Sequence, residues 1–228
     1  MFLTIATGEA WGVIGASGSG KTTLLNLVLG LLEPHEGRIT IQGAPWSPLP
    51  ERDRRLRRPR IQAVFQDALA SLPPHRTGWE ILQEPLEVWQ RGDAASRRDA
   101  AARMAAKVKF PEACLDQRPE AWSGGLAQRL CLGRALMLEP ALLVLDEPFS
   151  ALDPTLAGYL LALLLAVKAE GTALLLASHD LPAVRILCDQ MLLLRKGRTL
   201  CQGSAGQLLS DPPHTHLRDL LDAVPVLE

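Results

Sequence analysis

The sequence predicts an α/β fold in which a doubly wound parallel sheet is interrupted by a helical insertion. An apolar run, Trp11 to Ile14, precedes a glycine-rich loop and then helical sequence, the order expected of a strand, a loop and a helix. Two further apolar runs, Ala141 to Leu145 and Thr172 to Ala177, flank a predicted helix from about Pro154 to Glu170 and are typical of buried parallel strands. From Trp79 to about Met137 the sequence instead has a helical pattern rich in Ala, Arg and Leu.

Three shorter strands are predicted before the insertion, at Thr4–Ala6, Arg38–Gln42 and Ile61–Phe65. Glycine and proline clusters separate them, since these residues favour turns. The turn sequences are Gly8-Glu9, Pro34-His35-Glu36-Gly37 and Gly43-Ala44-Pro45, and the breaks within the helical insertion are Arg91-Gly92-Asp93, Pro111 and Pro119.

Composition favours one domain with an aliphatic core. The 228 residues are 47% hydrophobic but only 4% aromatic, which suits a core of Leu, Ala and Val. The net charge of −1 disfavours general nucleic-acid binding, and the basic run from Arg52 to Arg60 is interpreted as a solvated face rather than a DNA groove. Cys114, Cys131, Cys188 and Cys201 form no C-x-x-C pair and are predicted to be reduced packing residues, not disulfides or metal ligands.

The sequence predicts neither a membrane span nor a secretory signal. Its longest apolar stretch, Leu156 to Val167, has 12 residues, whereas a spanning helix needs about 20. The first residues also lack a basic segment followed by a cleavage site. We therefore expect a protein that is not itself inserted in a membrane or secreted.

The strongest motif is the glycine-rich loop, which fits the phosphate-binding pattern G-x-x-x-x-G-K-[ST] at every fixed position. Its glycines allow backbone N–H groups to surround phosphates, and the following helix adds a positive N-terminus. Lys21 can reach the β- and γ-phosphates, and the Thr22 hydroxyl suits Mg²⁺. The residues predicted to bind nucleotide here are Gly15, Ala16, Ser17, Gly18, Ser19, Gly20, Lys21, Thr22 and Thr23.

Polar residues follow the two later apolar runs, where parallel strands end and ligands usually bind. Asp146 is predicted to hold a hydrated Mg²⁺ together with Thr22, and Glu147 to orient and deprotonate the attacking water. Helix capping is the alternative for this acidic pair, and the phosphate loop makes the catalytic interpretation preferable. His179 follows the second run after Ser178 and is placed to donate a hydrogen bond to a γ-phosphate.

These motifs, together with Gln66, Ser123-Gly124-Gly125 and Ser150-Ala151-Leu152-Asp153, occur in the order found in nucleotide-binding subunits of ABC transporters. The chain resembles that family over essentially its whole length. The resemblance implies a P-loop NTPase (RecA-like) core, a helical subdomain and a truncated antiparallel β-subdomain. It divides the single nucleotide-binding domain into a core at 1–66 and 138–210, a helical subdomain at 67–137 and a tail at 211–228.

The resemblance also implies cofactors, partners and residue roles. ATP and Mg²⁺ are the expected cofactors, and Gln66 would sense the γ-phosphate and the metal. The signature residues Ser123, Gly124 and Gly125 would close over ATP bound to a second ATP-binding subunit, in a homodimer or heterodimer. Two transmembrane permease subunits and a solute-binding protein are the further expected partners, with the chain peripheral on the cytoplasmic face of the inner membrane and no nucleic acid bound.

Two features of the segment from Ser123 to Leu126 bear on its predicted function. A hydroxyl and exposed N–H groups before a helix suit an anion, whereas a simple helix cap accounts for Ser123 but not for the second glycine, Gly125. Leu126 replaces the Gln that is usual in the family, which removes a polar group and leads us to expect weakened activity.

The closest likeness within the family is to ATPase subunits of oligopeptide and nickel importers. The segments that carry it run from Gln62 to Pro74, from Ile81 to Leu86 and from His214 to Pro225. They imply ATP hydrolysis that drives solute transport, with peptides or nickel as the solute. His214 and His216 alone make an incomplete metal site. A soluble ATPase acting on nucleic acid or ribosomes, or a degenerate regulatory subunit, remains the alternative.

Only 14 residues precede Gly15, and in the family an adenine-stacking aromatic lies further upstream. Trp11 belongs to the strand before the loop and is not a convincing substitute. A misassigned start, a naturally short protein and lost base stacking are the open explanations. For a chain complete as written, we expect weak ATP binding, poor discrimination against GTP, and poor solubility from an unpaired strand edge near Thr4–Ala6.

Overall fold

The computed structural model describes residues 1–150 and 152–222. Within them, six strands form one sheet in the spatial order β4-β5-β6-β1-β7-β8. The first five strands in this order are parallel, and β8 is antiparallel to β7. The predicted α/β fold with a parallel sheet is thus confirmed. The strands are β1 (Ala10–Ile14), β4 (Ile61–Val64), β5 (Leu142–Asp146), β6 (Ala173–Ala177), β7 (Gln190–Arg195) and β8 (Arg198–Ser204).

The sheet is covered on both faces, and the alternation of side chains along each strand divides the core in two. Leu143 and Leu145 of β5 belong to one apolar cluster, and Leu142 and Val144 belong to the other. Since successive side chains of a strand point to opposite faces, continuous apolar runs are required here. This arrangement explains why β1, β5 and β6 are buried at every position.

Helices pack around the sheet and form the insertion. The predicted break at Arg91–Asp93 separates two of them, where Asp93 caps the second helix by accepting from the Ser96 N–H at 2.8 Å. Thr77 and Glu80 form a capping box at the start of the first. The helices are α1 (Lys21–Val28), α2 (Glu51–Arg55), α3 (Gly78–Val88), α4 (Ala94–Lys107), α5 (Gly124–Leu136), α6 (Pro154–Ala169), α7 (Leu181–Leu187), α8 (Ala205–Ser210) and α9 (Thr215–Asp222).

The predicted strand at Thr4–Ala6 is wrong. No ladder pairs it within the described residues, and the Ala6 N–H instead donates to Glu9 Oε2 at 2.7 Å in a tight turn. A strand is stable only with a neighbour to satisfy its backbone groups. The small antiparallel sheet consists of β2 (Ile39–Ile41) and β3 (Ala44–Ser47), so the predicted turn at Gly43–Pro45 also extends too far.

The basic run from Arg52 to Arg60 was predicted to be a solvated face, and this prediction is wrong for two of its arginines. Arg54 is buried, with 7% of its surface exposed, and contacts Glu51 and Glu33. Arg58 stacks on the Trp46 ring and donates to the Leu29 carbonyl at the end of α1 at 2.8 Å. These arginines therefore link β3 to the C-terminal end of α1, where cations are favoured.

Candidate functional site

A cavity of about 490 Å³ lies at the carboxyl ends of β1, β5 and β6. It brings together residues from five separate segments, which is the expected place for a ligand site in an α/β sheet. Every predicted loop residue lines it, as do the predicted residues from three other segments and one residue of α9. The lining residues are Gly15, Ala16, Ser17, Gly18, Ser19, Gly20, Lys21, Thr22, Thr23, Gln66, Asp146, Glu147, His179 and Leu220.

The loop between β1 and α1 has a backbone that requires glycine at its start. A Cβ on Gly15 would lie 2.4 Å from the Leu194 carbonyl oxygen, a distance that the backbone cannot accommodate. Gly20 precedes α1 with φ of 107°, in the left-handed region. The N–H groups at the start of α1 therefore face the cavity without side chains in the way, which is the arrangement that binds phosphate.

Lys21 connects the loop to the acidic pair. Its Nζ donates to the Gly15 carbonyl at 2.7 Å and lies 3.8 Å from Glu147 Oε1. The ammonium group is thus held at the cavity by groups that a phosphate can replace. Ser19 Oγ is buried beside this loop and has no hydrogen-bond partner among the described residues.

Thr22 and Asp146 place two oxygen ligands side by side. The Thr22 hydroxyl donates to Asp146 Oδ2 across 3.2 Å. Burial raises the pKa of Asp146 above its ordinary value, and the Thr22 hydrogen bond acts against this rise. Gln66 lines the same cavity, and its side-chain amide carries a further oxygen. Hard oxygen donors of this kind fit Mg²⁺.

Glu147 is held from several directions. Its backbone has φ of 48°, in the left-handed region, and its N–H donates to the Ala177 carbonyl of β6 at 2.9 Å. Its Oε2 lies 2.8 Å from His179 Nδ1 and accepts from the His179 N–H at 3.2 Å. The Ser150 hydroxyl donates to the Glu147 carbonyl at 2.8 Å. The glutamate and the histidine predicted from two different strand ends are therefore in direct contact.

The signature residues do not line this cavity. Ser123 caps α5 by accepting from the Leu126 N–H at 3.4 Å, and a Cβ on Gly124 would meet open space. A Cβ on Gly125 would lie 2.6 Å from Leu156 Cδ1 of α6. Packing against α6 therefore explains why glycine occupies position 125, an explanation not predicted from the sequence. Ala151, in the predicted segment Ser150–Asp153, lies outside the described residues, as do Ala223, Val224 and Pro225 of the tail motif.

Two residues near this site were not predicted from the sequence to belong to it. Leu220 of α9 lines the cavity; the tail motif from His214 to Pro225 includes it, but its approach to the site depends on the path of the tail. Gln128 of α5 is buried and bonds the loop after Glu147. No clear signal in the sequence marked it, because the polar pair Gln128-Arg129 in α5 also suits an exposed helix face.

The histidines of the tail do not assemble a metal site. His214 Nδ1 accepts from the His216 N–H at 3.1 Å, and no group of three or more His, Cys, Asp or Glu side chains that could hold a metal is found over 1–150 and 152–222. In the same part of the chain, every helix is too short or too polar to cross a bilayer.

The family model described as ABC transporter matches residues 1–150. The chain belongs to the ABC transporter family. A Brucella ovis protein named for peptide import ATP binding is 40% identical over 222 residues, 97% of this chain and 70% of that protein. The oligopeptide transport ATP-binding protein OppF of Lactococcus lactis is 33% identical over 227 residues, 99% of this chain and 71% of that protein.

A solved structure extends the similarity to three dimensions. The ATP-binding cassette MJ0796, a dimer in a post-hydrolysis state with ADP and Pi, has a TM-score of 0.82 and 28% identity, over 89% of this chain and 88% of that chain. The chain is an ATP-binding ABC subunit that hydrolyses ATP, as predicted. Its predicted likeness to oligopeptide importer subunits is also confirmed, whereas the nickel importers gain no specific support.

Proposed function

We propose that this ABC subunit hydrolyses ATP to drive peptide import. The cavity carries the proposal, because it joins the phosphate loop to Asp146, Glu147 and His179. Peptides are the proposed solute because the relatives that match over most of the chain are named for peptide or oligopeptide transport. Nickel is not part of the proposal.

The cavity supports a role for each side chain. N–H groups of the loop and the Lys21 ammonium bind the phosphates of ATP, replacing the contacts of Lys21 with Gly15 and Glu147. Thr22, Asp146 and Gln66 would hold Mg²⁺, which neutralises charge on the phosphates when bound. Glu147 accepts a proton from the attacking water, and His179 donates a hydrogen bond to the γ-phosphate.

Ser123, Gly124 and Gly125 would act on the ATP of a second ATP-binding subunit, since they lie outside their own cavity and leave an exposed helix N-terminus. The partner is a second copy or a sister ATPase. We keep the proposed division into a core at 1–66 and 138–210, a helical subdomain at 67–137 and a tail at 211–228.

A second cavity supports transmembrane permease subunits as partners. It measures about 640 Å³ and lies where β4 and the end of α1 meet α3 and α5. Three large apolar side chains at this cavity are exposed: Leu31, Phe65 and Val88. We propose that a cytoplasmic segment of a permease packs against them, which would place the chain on the inner face of the membrane, with a solute-binding protein on the other side.

The test is peptide uptake into vesicles that contain the chain and the permease subunits with which it co-purifies. ATP inside the vesicles should drive accumulation of a labelled peptide mixture. The Lys21→Ala variant should lose uptake and ATP binding while keeping its circular dichroism spectrum, because Lys21 contributes charge to the cavity rather than packing. Lys107→Ala, which removes an ion pair with Glu170 outside the cavity, is the matched control. Full uptake with Lys21→Ala, or ATP-driven uptake of another solute but no peptide, would overturn the proposal.

A further inference from the structure

A buried amide links the signature helix to the catalytic loop. Gln128 lies on α5 with only 6% of its surface exposed. Its Nε2 donates to the Pro148 carbonyl at 3.2 Å, and the bond itself is buried. Buried amides are costly unless they are hydrogen-bonded. Because Pro148 directly follows Glu147 in the chain, this bond restrains the peptide between Pro148 and Phe149, one residue beyond Glu147.

The backbone at Glu147 depends on such restraints. A non-glycine residue with φ of 48° occupies a region that is unfavourable unless the surroundings impose it. Ala177 and Ser150 bond Glu147 itself, and both belong to the core side of the site. Gln128 supplies a further restraint, and it comes from α5.

The N-terminus of α5 is open to a ligand. Gly124 begins the helix and faces open space. Gln128 lies four residues later, about 6 Å along the axis at 1.5 Å per residue. A helix of this length moves as a rigid element over one turn, so a displacement of its N-terminus reaches Gln128 with little loss.

We propose that Gln128 is a positioning residue that couples engagement of the signature by a partner's ATP to the placement of Glu147 in its own cavity. This inference rests on the proposed function, in which Glu147 is the base and two subunits share each nucleotide. A phosphate at the α5 N-terminus shifts the helix, and the Gln128 to Pro148 bond transmits that shift to Glu147. Gln128 does not line the cavity itself.

The experiment is a double-mutant cycle with the full chain, measuring ATP affinity and steady-state hydrolysis. Gln128→Leu keeps the volume but removes the donor, and Gln128→Glu is nearly isosteric and, when ionised, cannot donate. Both should lower kcat by about 10- to 100-fold, the cost of a displacement of about 1 Å in a catalytic group, with unchanged affinity for ATP. In a Glu147→Gln background, Gln128→Leu should lower turnover no further.

Gln83→Leu is the matched control, because the Gln83 amide makes a similar bond, 3.1 Å to the Trp79 carbonyl, within α3. It should leave kcat unchanged. Wild-type kcat in Gln128→Glu would overturn the inference. So would equal effects of Gln128→Leu with and without Glu147→Gln, which would mean a role independent of Glu147. Normal turnover of Glu147→Gln alone would instead count against the proposed function.

Discussion

Glu147 shows how much of the site is set by single contacts. Its carboxylate is shared by His179 at 2.8 Å and Lys21 at 3.8 Å, so it is oriented before any substrate arrives. Preorganised groups of this kind lose little free energy to reorganisation during the reaction. The orientation comes from three strand ends that meet at one edge of the sheet.

Glu147→Gln is expected to slow ATP turnover by about 10²- to 10⁴-fold, because the amide keeps the shape but cannot accept the proton. ATP should still bind, since the phosphate contacts remain. Single-turnover hydrolysis and an equilibrium binding titration would measure the two effects separately. Hydrolysis close to that of the wild type would remove Glu147 from the mechanism.

Asp146 is expected to lower the stability of the nucleotide-free protein. Burial raises its pKa, which means that the folded chain holds the proton more tightly than the unfolded chain does. Its ionisation therefore opposes folding as the pH rises from the ordinary value of 3.8 through the folded pKa. Functional carboxylates often carry such a cost.

Asp146→Asn should therefore unfold at higher urea concentration than the wild type at neutral pH. The difference should disappear below the ordinary pKa, where the wild-type carboxyl is also neutral. ATP hydrolysis should fall about 10²-fold or more if Asp146 holds Mg²⁺ as proposed, because a metal ion at the phosphates supplies several kcal/mol. Urea titrations at the two pH values test the sign, and lower stability of the variant at neutral pH would show it to be wrong.

Among the helices, α5 has two adjacent glycines with different structural roles. Gly124 leaves the helix N-terminus open, whereas Gly125 allows α6 to approach through Leu156. A side chain at the first position would change the surface that faces a partner. A side chain at the second would displace the Leu156 side chain, whose terminal methyl would lie 2.6 Å from the new Cβ.

Gly124→Ala and Gly125→Ala make a matched pair for this distinction. Both gain helix propensity of up to about 1 kcal/mol, but the second also displaces the Leu156 side chain from its rotamer, which costs about 0.5–1.5 kcal/mol. We expect Gly125→Ala to have the lower free energy of unfolding by roughly that amount. Chemical denaturation of both variants measures it, and equal stabilities would show that the Leu156 side chain moves away without cost.

At the scale of the whole molecule, two apolar clusters on opposite faces of the sheet enclose most of the aliphatic side chains. The four cysteines differ in how deeply they are buried in these clusters. Burial raises the pKa of both Cys131 and Cys188 to about 12, whereas Cys114 and Cys201 are only half-buried. All four are free thiols in the structure.

Alkylation of the native protein near neutral pH should therefore label Cys114 and Cys201 and spare the two buried thiols. A pKa of about 12 reduces the reactive thiolate about 10³-fold relative to an ordinary cysteine. Peptide mass spectrometry after native and denatured labelling compares the four sites. Rapid native labelling of Cys188 would show that the α7 region opens readily.

Much of the architecture could be predicted because the strongest signals are local. Apolar runs with glycine punctuation located β1, β5 and β6 to within one residue or two, since a strand buried on both faces has no room for polar side chains. Thr4–Ala6 was predicted wrongly from the same kind of signal. Its sequence suits a strand, but pairing depends on a neighbour, and no local pattern encodes one.

The sequence by itself determined the phosphate loop, the acidic pair at the end of β5 and the alternation of the core, because glycine conformation, side-chain charge and strand period are properties of neighbouring residues. Only the tertiary structure decided that His179 meets Glu147, that Gly125 accommodates Leu156 and that Gln128 bonds Pro148. These contacts join residues 20 to 32 positions apart or on different helices. Their distances follow from how the strands and helices pack, which is a property of the whole chain.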